Sequence, residues 1–325
     1  MLESANQWEQ LTALMMPLFD QPLIRFLLLY SLLLLLLMAC NADPKVEREP
    51  KLAYSEATST TPTPNPPATR SAFPTSTSTL PPTSTPTLPP PLGTPTPMTI
   101  GTSVAGRPLE VFQFGDGPSK RMIIAGMHGG YEWNTIALAD EMIQVLTARP
   151  DMIPDTVTLY ILRSLNPDGE ARSTSYKGRV NENLVDLNRN YPSHWQRQWP
   201  LDGCWTYTYV TGGSSPASEP ETQTLINFLL TYQVEALINY HSAALGIFPG
   251  GQPPDQASIS LAEAVAAVSD YPYPPIDTGC VYTGQLIDWA SDQGIAAIDI
   301  ELTNHEDTDL WMNMKVLEAF LYWSP

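Results

Sequence analysis

The chain is poor in positive charge. Its 325 residues carry 16 Lys and Arg against 34 Asp and Glu, a formal net charge of −18. A surface of that sign repels nucleic acid and anionic headgroups, which argues against nucleic-acid binding and electrostatic docking on lipid, and it suits a soluble extracytoplasmic domain. Cysteine is scarce, with only Cys40, Cys204 and Cys280, and histidine is limited to His128, His194, His241 and His305. No internal repeat is present. The one strongly apolar run near the N-terminus, residues 26–39, is 14 residues long. That is marginal for a bilayer span and suits the core of a signal peptide.

Arg25 precedes this run, and it ends in Leu37-Met38-Ala39-Cys40. That ending resembles the lipobox of bacterial lipoproteins, which implies residues 1–40 as a signal peptide and Cys40 as a lipidated mature N-terminus. An uncleaved signal anchor is the alternative. The 24 residues before Arg25 are long for a signal n-region and point to a start at Met15 or Met16. The protein is then exported and anchored to a bacterial membrane through its lipid. In that oxidising compartment the remaining pair, Cys204 and Cys280, can form one disulfide. Two unrelated small hydrophobes are the alternative.

From Thr61 to Ile100 there are 13 prolines and a single charged residue, Arg70, with Thr and Ser filling most of the rest. No apolar periodicity exists there, so no core forms. Residues 41–98 are expected to be a disordered stalk. Forty residues of polyproline geometry reach up to ~120 Å.

The folded part is expected over 99–325. Apolar runs predict strands at 109–114, 121–127, 157–163, 234–240 and 295–301. Helices are predicted at 133–147, 219–232, 257–268, 285–292 and 309–322. Alternating helices and Ile/Val/Leu-rich strands indicate an α/β class, a three-layer α/β/α sandwich over a mostly parallel sheet.

Polar residues gather just past the predicted strand ends, where open α/β sheets build their sites. They are His128, Asn166 and Asp168, His241 and Glu301. Gly126-Met-His-Gly-Gly-Tyr-Glu-Trp-Asn134 is a Gly-rich turn between strand and helix. Its His128 and Glu132 offer a nitrogen and an oxygen ligand, and His241 supplies a second nitrogen. Three such ligands leave one zinc position open for water, as catalytic sites require. Glu301 ends an apolar strand, where a carboxylate needs a use; a general base is such a use. In Arg179 to Pro192, Arg189 with Asn188 suits a substrate carboxylate, and Arg179 suits a developing oxyanion.

These residues resemble the zinc metallocarboxypeptidase family, the funnelins that include the pancreatic carboxypeptidases. Agreement runs in chain order through Met127–Trp133, Asn166-Pro-Asp-Gly169, Val185-Asp-Leu-Asn-Arg-Asn-Tyr191, Ser218-Glu-Pro-Glu-Thr222, Tyr240-His-Ser242, Ile287-Asp-Trp289 and Ile300-Glu-Leu302. The resemblance implies an eight-stranded mixed sheet and one zinc held by His128, Glu132 and His241. It implies Glu301 as the base, Asn188 and Arg189 as the carboxylate clamp, and Arg179 at the scissile carbonyl. Tyr282 is the nearest candidate for the family's substrate-covering tyrosine, and Ile287 falls at its specificity position. The family sets its first two ligands three residues apart, whereas here they are four apart, a difference that Gly129 and Gly130 can absorb. His194 and His305 match nothing.

The implied activity is removal of a C-terminal residue from a peptide by a monomeric enzyme. The short domain is closer to the bacterial subgroup that cleaves murein peptides between γ-D-glutamate and a diamino acid. A deacylase of N-acyl amino acids uses the same chemistry. An inactive module binding peptide ends from a stalk is the reading from another class.

Overall fold

A computed structural model describes residues 96–199 and 210–325. The signal segment, Cys40, nearly all of the expected stalk and Cys204 lie outside the described residues. Seven strands form one sheet: β1 (Met98–Thr102), β2 (Pro108–Phe114), β3 (Ser119–Ile124), β4 (Val157–Leu162), β5 (Ala236–Ser242), β6 (Ile247–Pro249) and β7 (Ala296–Leu302). Among the described residues six α-helices accompany them: α1 (Trp133–Ala148), α2 (Pro167–Arg172), α3 (Pro220–Thr231), α4 (Gln256–Ala266), α5 (Leu286–Asp292) and α6 (Leu310–Tyr322).

The sheet order is β1-β2-β4-β3-β5-β7-β6. The four central strands, β4, β3, β5 and β7, are parallel. The pairings β1–β2, β2–β4 and β7–β6 are antiparallel. The α/β sandwich is therefore as expected, with seven strands among the described residues rather than eight, and with parallel pairing confined to the centre. β4 and β5 are buried along their whole length, which is why they read as continuous apolar runs.

Strand alternation divides the core in two. Ile123, Ile161, Ile238, Ile298 and Ile300 face α1, α4 and α6, packing with Met142, Leu146, Leu261, Val316 and Phe320. Met122, Ile124, Leu162, Leu237 and Ala297 face the other way, packing with Leu225, Phe228, Leu286 and Trp289 of α3 and α5. The same alternation puts Asn239 and His241 of β5, and Asp299 and Glu301 of β7, on the α3/α5 side.

Asn166 and Asp168 hold the fold together rather than serving the chemistry. Asn166 Oδ1 accepts from Gly169 N at 2.8 Å, capping α2, while its Nδ2 donates to Arg179 O at 3.1 Å. Asp168 is buried and accepts from Ser103 Oγ (2.7 Å), Arg107 Nη1 (2.7 Å) and Ala105 N (3.1 Å), tying α2 to the β1–β2 loop. Burial alone would raise its carboxyl, but the Ser103 and Arg107 hydrogen bonds outweigh that and hold it below its ordinary value. Folding thus favours the ionised form. This contribution is present above about pH 4 and fades as the pH falls through the lower folded value. Asp168→Asn is expected to lose about 1–3 kcal/mol in urea unfolding at pH 7, with the gap to wild type closing below about pH 4. An equal gap at pH 3 and pH 7 would contradict this.

Candidate metal and substrate site

β3 feeds directly into the turn that carries the first two ligands. Gly126 takes φ +62° and its carbonyl accepts from Asn166 N at 3.0 Å. His128 then caps a single 3₁₀ turn, Gly129–Glu132, which runs into α1. Gly129 has φ +48°, and a Cβ there would come within 2.7 Å of Glu170 N and Gly178 O. A Cβ on Gly130 would lie 2.3 Å from Ser173 O. The turn is packed backbone to backbone, and only glycine fits. This tight turn absorbs the extra residue and brings Glu132 back to His128.

Three side chains from separate segments converge. His128 Nδ1 is 2.6 Å from Glu132 Oε1. His241 Nδ1 is 3.0 Å from Glu132 Oε2 and 3.2 Å from His128 Nδ1. One ligand atom from each residue lies within 4.8 Å of the others, and all three residues are buried. Two ligands at about 2.0–2.1 Å from one tetrahedral zinc would sit roughly 3.3 Å apart, close to the nitrogen separation here. Burial opposes charge on Glu132, but the two imidazoles outweigh it and drive its carboxyl well down. Burial likewise opposes a proton on His241, while Asp299 and Glu132 raise it to about 9. The cluster is built to attract positive charge, and a dication bound there would displace those protons.

The far nitrogens of both rings are also engaged. His128 Nε2 is 3.1 Å from Asp186 Oδ1. The same carboxylate accepts from Arg179 Nε at 2.9 Å and from Asn188 N at 3.0 Å. Burial would raise the Asp186 carboxyl, but Arg179 and His128 keep it well below its ordinary value. His241 Nε2 lies 2.7 Å from Asn239 Nδ2 and 3.2 Å from Asn188 Nδ2.

Glu301 stands directly across the β5–β7 register from His241. Its Oε2 is buried with no hydrogen-bond partner among the described residues. Burial pushes its carboxyl up, and Glu132 and Asp299 add to this against the pull of His241, leaving it at about 8. A carboxyl oxygen without a partner, lining the same cavity as the three ligands, suits proton transfer.

A cavity of about 330 Å³ opens over these groups. Arg179, Asn188, Arg189 and Tyr282 all line it, as do Phe248, Gln285, Asp299 and His305. Arg189 is buried, and its guanidinium lies between two aromatic rings, 5.4 Å from Trp199 and 5.3 Å from Tyr282. Nη1 donates to Asn188 O at 2.7 Å, while Nε has no partner among the described residues. Asn188 Oδ1 is held by Leu286 N at 3.0 Å, which fixes the amide. Tyr282 carries its hydroxyl 3.1 Å from Thr278 Oγ1.

His128, Glu132, His241, Arg179, Asn188, Arg189, Tyr282 and Glu301 therefore line one cavity, whereas Asn166, Asp168 and Ile287 do not. Sequence reasoning missed several neighbours. Asp186 was visible inside the motif from Val185 to Tyr191, but its role depends on a histidine 58 positions away. His305, which matched nothing, lines the cavity with its Nδ1 3.0 Å from Ser242 Oγ and its ring tilted by 53° to that of Tyr131. Ile287 is buried and does not line the cavity; Gln285 and Asp299 do. Cys280 is disulfide-bonded.

Residues 95–320 match the profile described as Zinc carboxypeptidase. The chain belongs to the zinc carboxypeptidase family. Human mast cell carboxypeptidase A is 27% identical over 231 residues, 60% of this chain and 54% of that protein. Murein peptide amidase A of Escherichia coli is 26% identical over 186 residues, 55% of this chain and 69% of that protein. This chain thus spans about half the length of the mast cell relative. Among solved structures, murein-tripeptide amidase from Escherichia coli O157 superposes with a TM-score of 0.52 at 23% identity, covering 71% of this chain and 93% of that one. Bovine thrombin-activatable fibrinolysis inhibitor gives a TM-score of 0.56 at 22% identity, covering 70% and 86%. Both structural likenesses speak for the fold.

Zinc is the family's metal, and the donor set of His128, Glu132 and His241 fits it. Asp186 orients His128 from behind, so Asp186→Asn is expected to weaken zinc binding by about 10- to 100-fold in a chelator competition. Unchanged affinity would remove Asp186 from that role.

Proposed function

We propose that this protein is a zinc-dependent carboxypeptidase, hydrolysing the last peptide bond of a substrate whose terminal carboxylate docks on Arg189. The observation that carries this is the pairing, in one cavity, of a three-ligand metal cluster with a buried arginine whose Nε has no hydrogen-bond partner among the described residues. A buried guanidinium flanked by aromatic faces is costly unless an anion arrives to match its fork.

Zinc, when bound, supplies a water of lowered pKa and polarises the scissile carbonyl. The chain's own residues do the rest. Arg189 and the amide of Asn188 fix the carboxylate and so the register of the bond. Arg179, held by Asp186, presents its guanidinium where negative charge develops on the carbonyl oxygen. Glu301 accepts the water proton and returns it to the leaving amine. Tyr282 forms part of the wall that closes over the bound residue and excludes water.

A second reading, cleavage of murein peptides, is supported by the sequence similarity to murein peptide amidase A of Escherichia coli, 26% identical over 69% of that protein. The same proposal places the domain outside the cytoplasm, lipid-anchored at Cys40 and held away from the membrane by residues 41–98. Its support is the apolar run 26–39 ending in Leu37-Met38-Ala39-Cys40 and the proline-rich stretch after it.

Glu301→Gln is expected to keep its zinc and lose about 10²- to 10⁴-fold in kcat on N-blocked dipeptides. A near wild-type rate with full zinc would take Glu301 out of the reaction. Arg189→Ala is expected to raise KM for dipeptides with a free carboxylate by at least about tenfold more than for their amides. Equal effects on both would contradict the clamp.

A further inference from the structure

His305 is the cavity residue that the chemistry above leaves without a task. It lies on the loop after β7 and is exposed, yet the bonds around it fix its ring. Asn134, fully buried at the start of α1, is the anchor. Its Nδ2 donates to Asn304 O at 2.7 Å and to Asp307 O at 2.9 Å, which pins the loop on both sides of His305. Two carbonyl oxygens can be met only by the amide's N–H groups, so Oδ1 is the atom that faces Ser242. Ser242 Oγ donates to it at 3.0 Å, which uses the single proton of the hydroxyl. His305 Nδ1, 3.0 Å from the same oxygen, is then the donor to Ser242 Oγ. In the neutral ring Nε2 is therefore bare, and it is a hydrogen-bond acceptor.

Tyr131 completes this wall. It stands directly before Glu132, in the turn that is one residue longer than the family's. Its ring centroid lies 5.0 Å from that of His305, and both residues line the cavity. The pair enters beside Glu132 and Ser242, and Glu132 meets the His241 ring at Nδ1, 3.0 Å away. Asn188, with Arg189 next to it, meets the same ring at its other nitrogen, 3.2 Å from Nε2. The metal cluster thus separates the arginine end of the cavity from the Tyr131 and His305 end. A substrate with its terminal carboxylate on Arg189 and its scissile carbonyl at the cluster carries its acyl portion toward that second end. A peptide N–H leaving water there needs an acceptor.

We infer that His305 is a substrate-contacting residue on the acyl side, accepting through Nε2 a hydrogen bond from the N–H of the residue that supplies the scissile carbonyl. The ligand class is a peptide end joined through its α-carboxyl, since a bond made through a side-chain carboxyl has no N–H at that position. Asn134 and Ser242 are positioning residues that act through His305. This inference rests on the carboxypeptidase reading of the same cavity.

The test uses the zinc-loaded full chain and two matched substrates with a free carboxylate. One is an N-acyl dipeptide, and the other has an ester oxygen in place of the acyl-side N–H. kcat/KM is measured for wild type, His305→Phe, which lacks the acceptor, and His305→Gln, which restores one. Wild type is expected to favour the N–H substrate by about 3- to 10-fold, His305→Phe to bring the two within about twofold, and His305→Gln to recover part of the preference. Zinc content is expected to stay unchanged in both variants. Nitrogen NMR of wild type alone gives a second readout, independent of whether the variants fold. His305 is expected to carry its proton on Nδ1, and its Nε2 signal to shift on adding an N-acyl amino acid but not the oxygen analogue. A proton on Nε2 instead, equal shifts with both ligands, or a preference that survives in His305→Phe overturns the inference. Equal cleavage of both substrates by wild type sinks this inference alone. Failure of wild type to cleave either one sinks the carboxypeptidase reading with it.

Discussion

The carboxylate of Glu132 is the hinge of the structure. It lies 2.6 Å from one imidazole and 3.0 Å from another, joining a turn after β3 to the end of β5. Three ionisable groups buried this close are stable only if each compensates the others or a metal replaces the protons between them. The surrounding fold meets that condition. Gly129 and Gly130 let the turn close, the parallel pairing of β3 with β5 sets the second histidine beside the first, and the β5–β7 register puts Glu301 opposite.

A second layer of groups fixes orientation. Asp186 serves three tasks, backing His128, holding Arg179 and accepting the main-chain N–H of Asn188. His128, Arg179 and Asn188 are thereby linked through one buried carboxylate whose own charge is secured by Arg179. Arg189 is held differently, between aromatic faces and against a backbone carbonyl, so that its fork remains available. In the proposed reading, the site combines a metal end with an arginine end that takes the substrate carboxylate.

Much of this was legible in the chain. The five central and flanking strands and five helices announced themselves because their apolar runs are long and their ends are marked by turn residues. β1 was hidden because it follows a proline-rich stretch and alternates weakly in burial. β6 was hidden because three residues ending in Pro249 give no period. His128, His241 and Glu301 stood out as polar residues at the ends of apolar strands. Asn239 and Asp299 did not, because inside a strand the alternation that buries Ile238 and Ile300 conceals which polar residues reach toward the ligands from the other face. Asn166 and Asp168 share the strand-end placement of the ligands, yet their hydrogen bonds serve α2 and the β1–β2 loop. Position at a strand end marks a candidate, and only the partners of the side chain decide its use.

The central claim is that one zinc ion sits among His128, Glu132 and His241. X-ray absorption at the zinc edge of the purified chain tests it most directly. One equivalent of zinc with two imidazole nitrogens and carboxylate oxygen in its inner shell is the expected result, lost on replacing His241 by Ala. Zinc bound without imidazole, or held equally well after that replacement, would contradict it.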